Sequence, residues 1–246
     1  MAGETSHGPM HQFEVHPIVP IDIAGFDISF TNASLWMVLA VLSITLLLGV
    51  GIRSRAMVPG RMQSIAELSY EFIANMLREN VGSGGRQFFP FIFTLFMFII
   101  TCNVFGMLPY SFTVTSHIVV TFAIAILCFL IVVGVGLARH GLHFFSLFLP
   151  SGLPLVMAPL MLPIELISFL ARPFTLSVRL SANMLAGHAM MKVIAGFVLT
   201  LGWMLGWMPF LFLVVLTGFE IFVAILQAYI FTILVCVYLN DAVNLH

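Results

Sequence analysis

Ionisable side chains interrupt a strongly apolar stretch in the second half of the sequence. Glu165, Arg172 and Arg179 recur every seven residues, so on a helix they share one face, and Asn183 follows one turn later. His188 lies nine residues beyond Arg179, a rotation of about 180° that places it on nearly the opposite face. A charged side chain in a bilayer costs at least about 2.5–3.5 kcal/mol, so each of these groups needs a partner or a task.

Proton transfer is the chemistry that His188 and Glu220 could supply. Histidine titrates near neutral pH, and a carboxylate beside it can accept or return a proton. Gln227 follows Glu220 by seven residues and shares its helix face. Arginine keeps its proton at any physiological pH, so Arg179 can act only as a fixed positive charge. We predict a proton path at His188 and Glu220, with a neutral hydrogen-bonded core histidine as the alternative for His188.

Arg179 lacks an obvious partner within the sequence. Three cations, Arg172, Arg179 and Lys192, share two membrane-depth carboxylates, Glu165 and Glu220. Arg172 and Lys192 lie nearer the helix ends, where long side chains can reach the interface. The residues at helical spacing around Arg179 are small and would let another helix approach: Thr175, Ala182 and Ala186. The count favours a carboxylate on another protein, with a static ion pair to Glu165 or Glu220 as the alternative.

The composition places these residues in a membrane protein. Of 246 residues, 61% are hydrophobic and 8% charged, with a mean hydropathy of +1.13, more apolar surface than a soluble fold of this length can bury. The net charge of −1 argues against a nucleic-acid partner. Nucleotide-binding, hydrolase and metalloprotease motifs are absent from the sequence, so we expect no cofactor and no metal. The three cysteines are dispersed in apolar runs and are predicted to be small buried hydrophobes: Cys102, Cys128 and Cys236.

The apolar runs predict an all-α integral membrane protein, a single membrane domain with about five membrane helices. Its segments are an acidic tail (1–29), a first span (30–52), an amphipathic helix on the inner surface (62–80), a two-span hairpin (88–138) and a hairpin of two long helices (156–240). The last two helices, at about 163–200 and 210–239, would be about 57 and 45 Å long. A hydrocarbon core is about 30 Å thick, so we expect both helices to tilt strongly.

The arginines predict the orientation. Six of them flank the first three spans: Arg53, Arg55, Arg61, Arg78, Arg86 and Arg139. The positive-inside rule puts them on the inner side, with the N-terminus outside and the C-terminus in the cytoplasm. The tail 1–29 contains no Lys or Arg and the following run is long enough to span, so we expect a retained anchor and not a cleaved signal peptide.

Three stretches resemble subunit a of the rotary F-type ATP synthases. They are NVFGMLPYSFTVTSH (103–117), RPFTLSVRLSANMLAGH (172–188) and FEIFVAILQAYIFTILVCVYL (219–239). The resemblance implies that Arg179 is the family's essential arginine and that Glu165 is its inner-side glutamate. It also matches Asn183 and Gln227 to the family's polar residues on the last two helices.

Two positions depart from the pattern of some bacterial members. His188 and Glu220 carry the family's histidine and glutamate exchanged between helices, which suggests that they face each other. Gly106 stands where some relatives carry an aspartate, leaving Asn103 and His117 as possible polar groups along the inlet for protons.

The resemblance implies a stator subunit of the Fo sector, with two offset half-channels and an arginine that couples proton flow to rotation. Expected partners are a ring of c subunits with a carboxylate facing Arg179, the subunit b peripheral stalk, the remaining ATP synthase subunits and membrane lipid. ATP synthesis would belong to the complex, because the chain has no nucleotide site. The expected location is a bacterial inner membrane, with the mitochondrial inner membrane as the alternative. A stand-alone ion channel or transporter and a purely structural anchor are the competing functions.

Overall fold

A computed structural model of the protein describes residues 16–20, 22–23, 26–27, 29–53, 59–108, 111–141, 144 and 158–244. Some predicted features lie outside these ranges. They are residues 1–15, 21, 24–25 and 28 of the acidic tail, Arg55, Pro109 and Tyr110 in the turn after the second span, and residues 156–157 of the last predicted segment.

Five helices are long and apolar enough to cross a membrane, which confirms the predicted all-α membrane fold. They are α1 (Asn32–Arg53), α3 (Phe89–Gly106), α4 (Ile118–His140), α5 (Ala158–Thr200) and α7 (Trp207–Val243). A helix pairs all of its interior backbone groups within one segment, so it is the form that an isolated apolar stretch can take in lipid. Three buried free thiols fit the expectation of small core hydrophobes: Cys102, Cys128 and Cys236.

The last two long helices exceed their predicted lengths. α5 has 43 residues and α7 has 37, so they measure about 65 and 55 Å. α5 continues through Pro163 and also through Pro173, which the sequence pattern treated as an interruption. Membrane helices tolerate proline where neighbouring groups satisfy the freed backbone carbonyl. A short helix α6 (Gly202–Leu205) occupies the apolar turn between them, and Gly202 takes the positive φ of 63° that the turn requires. The tilt of both helices stays a prediction.

Short strands precede the first helix, a feature that the sequence pattern did not predict. β1 (Pro17–Val19) pairs antiparallel with β4 (Phe30–Thr31), and β2 (Asp22–Ile23) pairs antiparallel with β3 (Phe26–Asp27). Helix α1 therefore begins at Asn32, directly after β4. The Asn32 side chain marks this boundary, since its Oδ1 accepts hydrogen bonds from the backbone amides of Ala33 and His16.

Helix α2 (Arg61–Val81) is amphipathic, and most of the apolar residues that recur at helical spacing in its sequence are not the ones buried in the protein. These recurring residues are Ile65, Leu68, Phe72 and Met76. The first three are exposed, and Met76 is buried together with Ala66, Ile73, Leu77 and Val81. The buried residues of α2 are those that pack against the rest of the protein. The exposed apolar side chains on its outer face can contact lipid.

The chain forms two compact units. One comprises Met1–Leu46, Phe98–His117 and Leu180–Ala228, and its fully buried side chains include Ile99 and Leu180. The other comprises Leu47–Met97, Ile118–Arg179 and Tyr229–His246, with Ile73, Ile92 and Phe231 fully buried.

Candidate functional site

The middle of helix α5 has a buried face and an exposed face. Its buried side chains recur every fourth residue: Leu176, Leu180, Met184 and His188. Arg179 is exposed, as are the small neighbours at helical spacing: Thr175, Ala182 and Ala186. The 3.6-residue period of the helix produces this division. His188 therefore faces the protein interior and Arg179 faces outwards, as their spacing predicts.

His188 and Glu220 meet inside the first unit. The Nδ1 atom of His188 lies 2.7 Å from Oε1 of Glu220, and both side chains are almost fully buried. Gly187 provides the space for this contact, because a Cβ atom at that position would lie 2.6 Å from the same carboxylate oxygen. A glycine next to the histidine therefore lets the carboxylate of α7 approach the backbone of α5.

The second nitrogen of His188 is also in use. Nε2 lies 2.8 Å from the carbonyl oxygen of Gly106 and 3.3 Å from Oγ1 of Thr113. A carbonyl oxygen can only accept, so Nε2 carries a proton and donates it to Gly106. Nδ1 in turn faces Glu220 and the carbonyl oxygen of Met184, at 3.0 Å.

The short contact would allow one proton to be held by either His188 or Glu220. The proton on Nδ1 makes an imidazolium beside a carboxylate, whereas the same proton on Glu220 makes a neutral histidine that accepts a hydrogen bond. The first arrangement also lets Nδ1 donate to the carbonyl oxygen of Met184, and the second gives up that bond. Either arrangement keeps the short contact, so the pair can take up and pass on a proton with little movement. A core histidine without such a neighbour would lack this second arrangement.

Two contacts of His188 were missed by sequence reasoning. The Gly106 carbonyl is a backbone group, which no residue type reveals. The Thr113 hydroxyl could have been found from the sequence, because the run TVTSH at 113–117 is polar and lies between two apolar helices. Helix α3 ends at Gly106 and the following segment turns back, which brings the carbonyl and the hydroxyl to the same imidazole nitrogen.

Polar contacts in the same unit also join α5 and α3 to α7. Asn183 donates from Nδ2 to Oε1 of Gln227 at 3.0 Å, so the two residues that the resemblance identified do meet. Asn103 donates from Nδ2 to the carbonyl oxygen of Ala224 at 3.0 Å, a bond that packs one helix against another. Several buried polar atoms of this unit have no hydrogen-bond partner among the described residues: Asn103 Oδ1, Thr115 Oγ1, Glu220 Oε2 and Gln227 Nε2.

A cavity of about 300 Å³ opens beside His188. Polar groups on its wall are Ser111, His188, Lys192 and Thr217. His117, the other predicted inlet residue, stacks on Phe112 with ring centroids 4.9 Å apart. Burial lowers the pKa of His117 below its ordinary value, which favours the neutral imidazole.

Arg179 and Glu165 belong to the second unit. Glu165 is half-buried and Arg179 exposed, and no ion pair is recorded for either within the part of the chain that the structure describes. The carboxylate of Glu220 pairs with His188 instead. The static ion pair offered as an alternative for Arg179 is therefore not formed among the described residues.

Arg172 has a partner that the sequence count overlooked. Its Nη1 lies 3.2 Å from Oδ2 of Asp241, and its guanidinium carbon lies 4.5 Å from the ring centroid of Tyr238 and 5.2 Å from that of Phe169. That the side chain of Arg172 reaches the membrane interface stays a prediction. The count of membrane-depth carboxylates does not include Asp241, which lies beyond the predicted end of the last helix.

Comparison with known proteins extends over nearly the whole chain. The family model described as ATP synthase A chain matches residues 33–240. The chain is 55% identical over 240 residues to the ATP synthase subunit a of Rhodospirillum rubrum, covering 98% of this chain and 100% of the relative. It is 57% identical over 242 residues to that of Parvibaculum lavamentivorans (96% and 93% covered) and 54% identical over 239 residues to that of Pelagibacter ubique (97% and 98% covered).

Proposed function

Because this chain belongs to the ATP synthase A chain family, we propose that it provides the two half-channels through which protons reach and leave a rotating ring of c subunits. The chain is a membrane subunit of an ATP synthase. The further steps, namely the proton path, the coupling arginine and the ring contact, make up the proposal. The observation that carries it is the buried His188–Glu220 contact beside a cavity, on a helix whose exposed face bears Arg179.

The inlet half-channel begins at the cavity beside His188. Protons enter it from the outer side and reach the shared position between His188 and Glu220. Unpaired buried atoms such as Oε2 of Glu220 and Oδ1 of Asn103 support a hydrated path here, because buried polar atoms of this kind are the ones that water satisfies. The proton then passes to a carboxylate on the ring.

Arg179 holds the boundary between the two half-channels. Its exposed guanidinium faces away from the protein core, where a deprotonated ring carboxylate can approach across the small side chains of α5. The fixed positive charge stabilises that carboxylate and repels a proton moving directly from one half-channel to the other. A ring site that has been protonated is neutral and can rotate through lipid.

Glu165 receives the proton after nearly a full turn of the ring. It lies on the same helix as Arg179, about 20 Å away along the axis. The Asn183–Gln227 hydrogen bond holds α5 and α7 together one turn beyond Arg179. Each proton that crosses is driven by about 2.3 kcal/mol per 100 mV of membrane potential.

The same proposal includes the partners of the chain and its location. The chain contacts the c ring, the subunit b stalk, other subunits of the synthase and lipid, in a bacterial inner membrane with its N-terminus outside. The positive-inside distribution of the arginines supports this orientation. The close similarity to bacterial relatives supports the location.

The test is Arg179→Ala in membranes that carry the whole complex. Proton-driven ATP synthesis and passive proton leak are measured together, with subunit assembly checked on the same membranes. We expect synthesis to be abolished while the complex still assembles. Arg53→Ala, another exposed arginine, is the matched control and should keep synthesis. Coupled synthesis retained by Arg179→Ala would contradict the proposal.

A further inference from the structure

A second cavity, of about 640 Å³, lies at the end of α2 within the second unit. Its wall includes the guanidinium-bearing residues Arg78 and Arg86 and the apolar residues Tyr70, Leu77, Phe89 and Pro90. None of these residues belongs to the proton path. The volume falls in the range of ligand sites and far exceeds what a single small ion requires.

A glycine-rich turn brings the two arginines to one cavity. α2 ends at Val81, and Gly82 takes a φ of 73°, a conformation that favours glycine. The chain then folds back closely, since a Cβ atom at Gly85 would lie 2.7 Å from that of Val81. The 3-10 helix Gly82–Phe88 continues from this turn and carries Arg86 to the wall that Arg78 also lines.

Both arginines keep their charge available. Their side chains are exposed, and no ion pair is recorded for either among the residues that the structure describes. None of the described residues on the cavity wall is acidic. Two guanidinium groups around one space suit a phosphate group, because each can donate two parallel hydrogen bonds to its oxygens.

The rest of the wall suits a lipid and not a free phosphate ion. The ring centroids of Tyr70 and Phe89 lie 4.6 Å apart, and Pro90 follows at the start of the spanning helix α3. Aromatic residues beside arginine at the start of a span are typical of the membrane interface. Other apolar side chains of α2, such as Leu68, are exposed as well.

We propose that this cavity binds the headgroup of an anionic phospholipid, with the phosphate between Arg78 and Arg86 and the acyl chains along Tyr70, Phe89 and Pro90. Basic pockets at the inner side of membrane helices bind such headgroups. The lipid would hold the end of α2 at the membrane surface next to the start of α3. This inference needs only that α3 spans the membrane, and it does not depend on the proton path.

The first test replaces both arginines by glutamine in the complete synthase. The complex is purified in detergent, and the phospholipid retained on it is measured by native mass spectrometry. Each guanidinium can donate charge-assisted hydrogen bonds to the phosphate, so the phosphatidylglycerol retained should fall at least about tenfold. The control is Arg53→Gln with Arg61→Gln, two exposed arginines outside the cavity. Equal retention by the two double variants would overturn the proposal.

The second test keeps both arginines and so remains informative if the double variant fails to assemble. A photoreactive amino acid replaces Ala74, which lines the cavity, and the complete synthase is placed in nanodiscs. We expect a crosslink to phospholipid in phosphatidylglycerol nanodiscs that persists when inorganic phosphate is added. A crosslink to another subunit, or loss of the lipid crosslink to added phosphate, would overturn the proposal. Because neither readout measures proton transport, this inference and the proposed function fail separately.

Discussion

The Nδ1 atom of His188 lies 2.7 Å from Oε1 of Glu220, inside the protein and between two different membrane helices. Nε2 of the same ring donates to a backbone carbonyl, so the proton that can move is the one between the imidazole and the carboxylate. We therefore expect the pair to behave as one proton-binding unit.

Removing either His188 or Glu220 should disrupt the proton-binding pair. Exchanging the two residues between their positions should keep a histidine facing a glutamate. We expect His188→Ala and Glu220→Gln each to lower proton-driven ATP synthesis at least about tenfold, because positioned proton-transfer groups contribute about 10²–10⁴-fold. The double variant His188→Glu with Glu220→His restores a facing pair and should recover part of the rate. Synthesis rates in assembled membranes measure the effect. A double variant no better than the worse single variant would argue against a shared proton.

Gly187 should be sensitive to a single added methyl group. A Cβ atom there would lie 2.6 Å from Oε1 of Glu220, so Gly187→Ala must displace the carboxylate and lengthen its contact with His188. Gly196 lies on the same helix with nothing within 4 Å of such an atom, which makes Gly196→Ala the matched control. Gly187→Ala should reduce proton-driven synthesis several-fold, and the control should not. Similar activity in the two variants would contradict the role given to this space.

The Arg172 contacts predict an unequal loss of stability. Asp241→Asn removes a partly exposed ion pair, which contributes about 0.2–1 kcal/mol. Arg172→Ala also removes the contacts of the guanidinium with the rings of Tyr238 and Phe169, about 0.5–1 kcal/mol each.

The measurement for this pair is the thermal inactivation temperature of the purified complex. It should fall more for Arg172→Ala than for Asp241→Asn, and the double variant should lose less than the sum of the two. A larger fall for Asp241→Asn would show that the ring contacts do not stabilise the protein.

His117 should make the protein less stable in mild acid. Burial lowers the pKa of His117 below its ordinary 6.5, so the unfolded chain binds this proton more readily than the folded protein. Stability from this group is therefore present above pH 6.5 and is lost as the pH falls through the lowered folded-state pKa. His117→Phe keeps a ring against Phe112 and removes the titration.

The melting temperature of the complex, measured from pH 8 to pH 5, tests this prediction. Wild type should lose more stability than His117→Phe over that range. Phe112→Leu reduces the burial of His117 but leaves the histidine, so the pH dependence of its melting temperature should lie between those of wild type and His117→Phe. If the difference in melting temperature between His117→Phe and wild type does not change with pH, His117 is not the cause of the loss of stability in acid.

Much of the fold could be read from residue types and their spacing. Long apolar runs predict the spanning helices because the bilayer admits few backbone conformations. Helical phase predicts the buried side of His188 and the exposed side of Arg179 because both lie on one continuous helix. In α2 the exposed residues Ile65 and Leu68 belong to the apolar stripe that the sequence shows. An amphipathic pattern does not say which apolar residues meet the protein and which meet lipid.

The amino-acid sequence alone determined the membrane class, the number of long helices and the residue types able to move a proton, since these depend on local composition and on the period of a helix. Tertiary structure was needed to bring His188 against Glu220, to recruit the Gly106 carbonyl and to pair Arg172 with Asp241. Each of these contacts joins two different helices. Their distances depend on how the helices pack, and the spacing of residues along one helix contains no information about that packing.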